Sequence, residues 1–223
     1  WMGMFMGLKP ISTSYLYIFM LLAALPYCGF FCRDNKNQYI LQYYSRMSKN
    51  KIISTIFKLY ISVMRGTPLM LQLMVIYFGP FYILGVQISQ SWKNMAVAIG
   101  FVLNYAAYFA EIYRGGIESI PKGQYEAAEV LGYSKVQTFW KIIFPQMVKR
   151  VLPPVTNEVI TLVKDTSLAF ALAYTEMFTL AKQVAASTAS IMPLFIAGLF
   201  YYIFNFLVAM VMEKLEKRMQ YFD

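Results

Sequence analysis

Two runs of polar side chains stand inside otherwise apolar sequence, each at helical spacing. Asn157, Glu158, Thr161 and Asp165 fall at offsets 0, 1, 4 and 8, broadly one helical face, and Asn104, Tyr108, Glu111 and Gly115 fall at 0, 4, 7 and 11, again one face. An ionisable group inside a bilayer costs about 2.5–3.5 kcal/mol on insertion scales, so it faces a bundle interior or water. The two stripes are therefore expected to meet across a polar cavity. Such a lining binds and passes a polar solute. Catalysis is not expected, because the chain has no histidine and offers no defensible nucleophile–base constellation. It also lacks the GxxxxGK[ST] phosphate loop, so any energy drawn from ATP must come through a partner.

The elements that position these residues are membrane helices. The 223 residues are 59% hydrophobic and only 14% charged, with a mean hydropathy of +0.50. A soluble domain carries about a quarter charged residues, and soluble helices show a polar face. Gly66 to Trp92 and Gln183 to Met212 contain no charge, and Tyr15 to Phe31 and Asn94 to Ala110 are shorter uncharged runs. About 18 apolar residues suffice to suggest a span. The fold class expected is an all-α polytopic bundle, one transmembrane domain over 1–223. Its spans are placed at about 13–32, 68–84, 94–113, 151–174 and 190–212.

The net charge of +9 is topological rather than a sign of nucleic acid. Fourteen of the basic residues cluster in 33–51, 114–150 and 213–223, while Lys9, Lys93 and Lys182 lie on the opposite side. By the positive-inside rule the N-terminus is outside and the C-terminus cytoplasmic. Cys28 and Cys32, one helical turn apart, admit a disulfide or metal pair, but small packing residues suit a chain without histidine better. No metal site is expected.

Two breaks organise the rest. Ile52 to Met64 reads as a helical approach to the membrane, with Lys58 able to snorkel. Arg65-Gly66-Thr67-Pro68 interrupts it, since proline disfavours helix at the residue before it. The cytoplasmic segment 117–145 reads as two short helices around a glycine corner. Pro121 opens the first helix, Gly132 supplies a left-handed stop, and Ser134 with Gln137 has capping-box spacing. Pro145 ends or kinks the second helix.

Glu126-Ala127-Ala128, then Gly132, then Ile142 and Phe144-Pro145, resembles the EAA loop of ATP-binding-cassette importer permeases, with Phe144 standing where leucine is usual. Arg65-Gly66-Thr67-Pro68-Leu69 with Gln72, Ala110 to Ile117, and Asn157-Glu158 leading to Lys164-Asp165-Thr166-Ser167-Leu168 resemble the polar amino acid branch of that family. The resemblance runs from about Ser48 to the C-terminus. Before it, a polar stretch from Arg33 to about Ser45 stands where the family runs directly from its first span into a basic loop.

The resemblance implies an inner-membrane permease subunit that pairs with a second one, each docked to a cytoplasmic ATPase. An external solute-binding protein delivers the amino acid, and import rather than export is part of the same implication. ATP and magnesium would be held by the ATPase and no cofactor by this chain. Glu126, Ala127, Ala128, Gly132, Ile142 and Pro145 would receive the ATPase's motion. Along the pathway, Glu158 is expected to take an ammonium or cationic side chain, with Gln72 and Asn157 hydrogen-bonding the remainder. Thr161, Asn104 and Tyr108 complete the lining. Lys164 and Asp165 either touch solute or hold an outer gate, and Glu111 with Arg114 suits a local i,i+3 pair. A permease for another small solute, a transport-deficient sensor and a passive channel or ion-coupled carrier are the alternative readings.

Overall fold

Pro68 sets the geometry of the first described elements. The computed structural model describes residues 51–87 and 89–219. The expected first span, 13–32, with Cys28 and Cys32, and the polar stretch from Arg33 lie outside the described residues. All regular structure among the described residues is helical. The chain divides into two compact units, Trp1–Phe109 and Ala110–Asp223.

In the first unit, α1 (Lys51–Gly66) and α2 (Leu69–Leu84) meet at an angle of 111°. The break falls at the expected tetrapeptide, with Pro68 extended at φ −63° and ψ 134°. Helix α2 closes on Gly85 in the left-handed region (φ 66°), whose N–H donates to Phe81 and Pro80 carbonyls. Helix α3 (Gln90–Glu118) opens with the Ser89 hydroxyl accepting from Trp92 N–H at 3.1 Å. Ala96, Val97, Phe101, Asn104, Tyr105 and Ala107 are buried on α3, as are Leu69 and Leu73 on α2, and Leu73 lies so close to α3 that a Cβ on Gly100 would come within 2.5 Å of its Cδ2. Helix α1 buries Ser54 and Ile61 and is tied to α3 by Tyr60, whose hydroxyl donates to the Leu103 carbonyl at 2.5 Å.

The second unit holds the end of α3, then α4 (Lys122–Val130), α5 (Lys135–Thr138), a π-helical turn (Phe139–Ile143) and α6 (Phe144–Asp165). A 3-10 segment, Thr166–Leu172, leads through Ala173 (φ 50°) to α7 (Met177–Thr188) and α8 (Met192–Met219). Helix α8 packs on both α6 and α7. The end of α3 lies so close to α6 that a Cβ on Gly116 would come within 2.2 Å of Val151 Cγ2. Only glycine allows that approach.

The expected end or kink at Pro145 takes another form. Phe144 N–H donates five residues back, to Phe139 O, and the chain continues helically through Pro145 near the start of α6. A π turn spaces the backbone so that a residue without an N–H enters the helix without ending it.

Within α3 the segment Ser91–Glu118, and α8, each 28 residues, are long and apolar enough to cross a membrane. The bent α1–α2 pair makes a third if it is one broken span. Helix α6 is not in that set; it carries Lys149, Arg150, Glu158, Lys164 and Asp165. The region expected as a fourth span, 151–174, is α-helical to Asp165 and 3-10 beyond it. The last helix runs on to Met219, so the basic tail after 212 continues it.

Candidate functional site

Two buried amides of the first unit, Gln72 and Asn104, are gathered at the bend. In a continuous helix the Met64 carbonyl would accept from the N–H four residues on, but residue 68 is proline and has none. Gln72 Nε2 donates to that carbonyl at 2.9 Å, and Asn104 Nδ2 reaches it at 3.2 Å. Gln72 Nε2 also donates to Thr67 O at 3.1 Å and Thr67 Oγ1 at 2.8 Å, while its Oε1 accepts from Asn104 at 3.0 Å. Both amides are buried. Gln72 and Asn104, read from sequence as solute-facing, are thus engaged with the backbone that Pro68 leaves open. Tyr108, on the same face of α3 as Asn104, carries the Arg65 guanidinium 5.5 Å above its ring.

In the second unit the polar stripe of α6 divides. Asn157, Thr161 and Lys164 form an exposed edge, opposite buried Val151, Leu162 and Val163. Glu158 and Asp165, seven residues apart, lie together on the half-buried flank, both engaged within the fold. The Thr161 hydroxyl donates to Asn157 O at 2.9 Å. A polar edge of this kind cannot face acyl chains, so it faces water or another polar surface. At the end of α3, Arg114 bridges Glu111 at 2.6 Å and Glu118 at 2.5 Å, which gives Glu111 the local structural role.

The 117–145 loop is built as two capped helices. Helix α4 ends in a Schellman turn: Gly132 N–H donates to Glu129 O and Tyr133 N–H to Ala128 O, both at 3.0 Å, with Gly132 at φ 73°. The Ser134–Gln137 capping box opens α5, both reciprocal bonds being present. Inside this corner Ala128 is fully buried and Ile142 half-buried. Glu126 and Ala127 face outward. Beside them Val130 and Leu131 are 88% and 72% exposed, and Tyr125, Val136 and Trp140 are exposed too. An acidic group beside bare apolar side chains on a rigid corner is a surface made for a protein partner.

One buried carboxylate escaped the sequence reading. Glu176 caps α7, accepting from Phe178 N–H at 2.7 Å, Thr179 N–H at 2.6 Å and the Thr179 hydroxyl at 2.8 Å. The Tyr201 hydroxyl on α8 lies 3.2 Å from its second oxygen. The available signal was Glu176 standing three residues before Thr179 at the head of an apolar run.

A family model described as binding-protein-dependent transport system inner membrane component matches residues 39–221. The chain belongs to that family. This permease is a multi-pass membrane protein. It is 38% identical over 175 residues to a putative glutamine transport system permease protein GlnP of Rickettsia felis, covering 78% of this chain and 79% of that one. It is 40% identical over 162 residues to the arginine transport system permease protein ArtQ of Bacillus subtilis, covering 72% and 73%. It is 36% identical over 177 residues to the L-cystine transport system permease protein TcyB of the same organism, covering 78% and 74%. Among solved structures, an amino acid ABC transporter crystallised with histidines matches with a TM-score of 0.79 at 26% identity, covering 97% of this permease and 94% of that chain. The inward-facing MetNI methionine ABC transporter matches with a TM-score of 0.63 at 16% identity, covering 94% and 89%, which shows the fold alone.

Proposed function

We propose that this permease is one transmembrane subunit of an ATP-driven importer for a polar amino acid, with its substrate path along the exposed polar edge of α6. The observation that carries this reading is that edge itself: Asn157, Thr161 and Lys164 outward on a helix of a membrane transport protein. A lipid-facing helix would bear no such edge. A second permease subunit across a water-filled path supplies the polar surroundings it needs. The relatives named for glutamine, arginine and cystine support an amino acid as cargo.

An amino acid brings a carboxylate and an ammonium, and both must be matched when water is stripped away. Glu158, on the half-buried flank beside Asn157, is the group proposed for the ammonium or a cationic side chain. Lys164 and Asp165, one on the edge and one on the flank, either contact solute or hold the outer gate. Gln72, Asn104 and Tyr108 act less directly, since their bonds hold the bend and its neighbourhood.

Energy enters at the corner of Glu126, Ala127 and Gly132, where a cytoplasmic ATP-binding subunit docks; Ala128, Ile142 and Pro145 keep that corner rigid. Nucleotide and magnesium belong to that subunit. An external binding protein hands over the solute, with the N-terminus outside and the C-terminus cytoplasmic, following the basic residues of 33–51, 114–150 and 213–223.

The test is uptake of labelled amino acids into proteoliposomes holding the permease, its ATPase and its binding protein. ATP-dependent accumulation, lowered by Glu158→Gln, is expected. Solute-stimulated ATP hydrolysis without accumulation would make the complex a sensor. Accumulation of a different class of solute would overturn the amino acid assignment. Unchanged affinity and rate in Glu158→Gln would remove that residue from the path.

A further inference from the structure

The first described helix has three distinct faces, and only two are explained by the bundle. Residues of α1 step round the axis by about 100° each. Ser54 and Ile61 are buried, and Tyr60 on the neighbouring side ties α1 to the Leu103 carbonyl of α3. Thr55, Lys58 and Ser62 form an exposed polar edge, joined at its end by Arg65. Between them runs a third face: Ile52, Ile56, Leu59 and Val63, at offsets 0, 4, 7 and 11, exposed by 71%, 61%, 64% and 47%.

The orientation of this stripe is fixed. The Gln72–Asn104 bonds clamp Met64 and Thr67, so the angle of 111° between α1 and α2 is a built feature. Helix α2 is an apolar segment that shows Leu71, Val75, Phe78 and Phe81 outward. Where α2 runs along the bilayer normal, α1 lies not far from the membrane plane. A helix so placed, with a polar edge running alongside an apolar stripe, matches the boundary between headgroups and acyl chains.

We infer that α1 is an interfacial anchor whose Ile52–Ile56–Leu59–Val63 stripe lies among phospholipid acyl chains at the water boundary. Lys58 turns toward the headgroup phosphates, its stem crossing the apolar layer, while Arg65 at the end of the edge stays over the Tyr108 ring. The occupant is lipid rather than protein because the stripe belongs to the same unit as the outward apolar residues of α2. Lys58 and Ser62, exposed beside it, also need water along that edge. The anchor gives the bend a fixed reference at the membrane surface, against which α2 and α3 are held.

The experiment uses the full chain in proteoliposomes, with Cys28→Ser and Cys32→Ser and single cysteines introduced by Ile56→Cys, Leu59→Cys, Thr55→Cys or Ser62→Cys. Each carries a nitroxide, and its collision rates with oxygen and with a water-soluble nickel chelate are compared. Oxygen should dominate at 56 and 59 and nickel at 55 and 62, so that the ratio reverses across the edge. Nickel dominating at 56 and 59 would overturn the inference, since the stripe would then face water. Exclusion of both reagents there would overturn it too, because protein, whether a second copy or the N-terminal residues, would cover the stripe. All four positions are exposed, so the labels displace no core side chain. The readout needs no transport: an active importer with a wet stripe refutes the anchor alone.

Discussion

Asn104 and Gln72, 32 residues apart, share a hydrogen bond of 3.0 Å while both donate to the one carbonyl that Pro68 leaves without its helical partner. A buried carbonyl without a donor costs about 1–3 kcal/mol, so two buried amides directed at it are a structural provision. The proline makes the bend, and the amides hold it at one angle.

Gln72→Leu should therefore lower stability by about 1–3 kcal/mol, because it strips donors from Met64 O and both Thr67 oxygens. Asn104→Leu should cost less, since Gln72 still serves Met64. In a Pro68→Ala background residue 68 regains its N–H, and the Gln72→Leu penalty should shrink. Thermal unfolding of the unsubstituted permease and these four variants in detergent checks this. Equal penalties in both backgrounds would separate Gln72 from the orphaned carbonyl.

Gly116 and Val151 make the complementary case in the second unit. A Cβ at 116 meets Val151 Cγ2 at 2.2 Å and Met147 Cγ at 3.4 Å, in a helix contact with no slack. Gly116→Ala should destabilise by about 1–3 kcal/mol through overpacking. Val151→Ala added to it should recover part of that loss, although alone it leaves a gap. A double-mutant cycle from denaturation midpoints should give a favourable coupling. Additive penalties would mean that the helices separate rather than touch.

Local signals in the sequence were enough for several elements. The break before Pro68, the capping box at Ser134 and the glycine stop at 132 each need only neighbours within a few residues, and the structure has all three. Gln72 and Asn104 were legible as polar residues in apolar helices, but their partner was not. Their purpose depends on a backbone group exposed by a proline elsewhere in the chain. Pro145 misled in the opposite direction, because a π turn absorbs it and π turns have no clear sequence signature. Glu176 was passed over because no helix was expected between 174 and 190, so nothing there called for a cap.

Glu176 supplies the next measurable outcome. Its carboxylate accepts three bonds from the first turn of α7 and meets Tyr201 on α8. Glu176→Ala should free the Phe178 and Thr179 amides and cost about 1–3 kcal/mol, while Tyr201→Phe should cost less than 1.5 kcal/mol. Hydrogen exchange followed by mass spectrometry should place the fastest gain in residues 177–180. Unchanged protection there would show that α7 is held by its packing and not by its cap.

Glu126 tests the outer surface, where folding and partnership come apart. Its side chain is exposed on α4, and the fold of the loop rests on Ala128, Gly132 and the capping box instead. Glu126→Lys should leave the unfolding temperature of the isolated permease within a degree or so, as surface substitutions change stability by about 0.5 kcal/mol or less. The same substitution reverses a charge at the proposed ATPase contact and should reduce co-purification of that subunit about tenfold or more, since a charge repulsion of 1.4 kcal/mol already gives tenfold. Gly132→Ala acts differently. Its φ of 73° disfavours any Cβ, so it should lower stability by about 1 kcal/mol while leaving Glu126 in place. If Glu126→Lys retained full co-purification, the ATPase would have to dock elsewhere on the chain, and the exposed Val130 and Leu131 would need another partner.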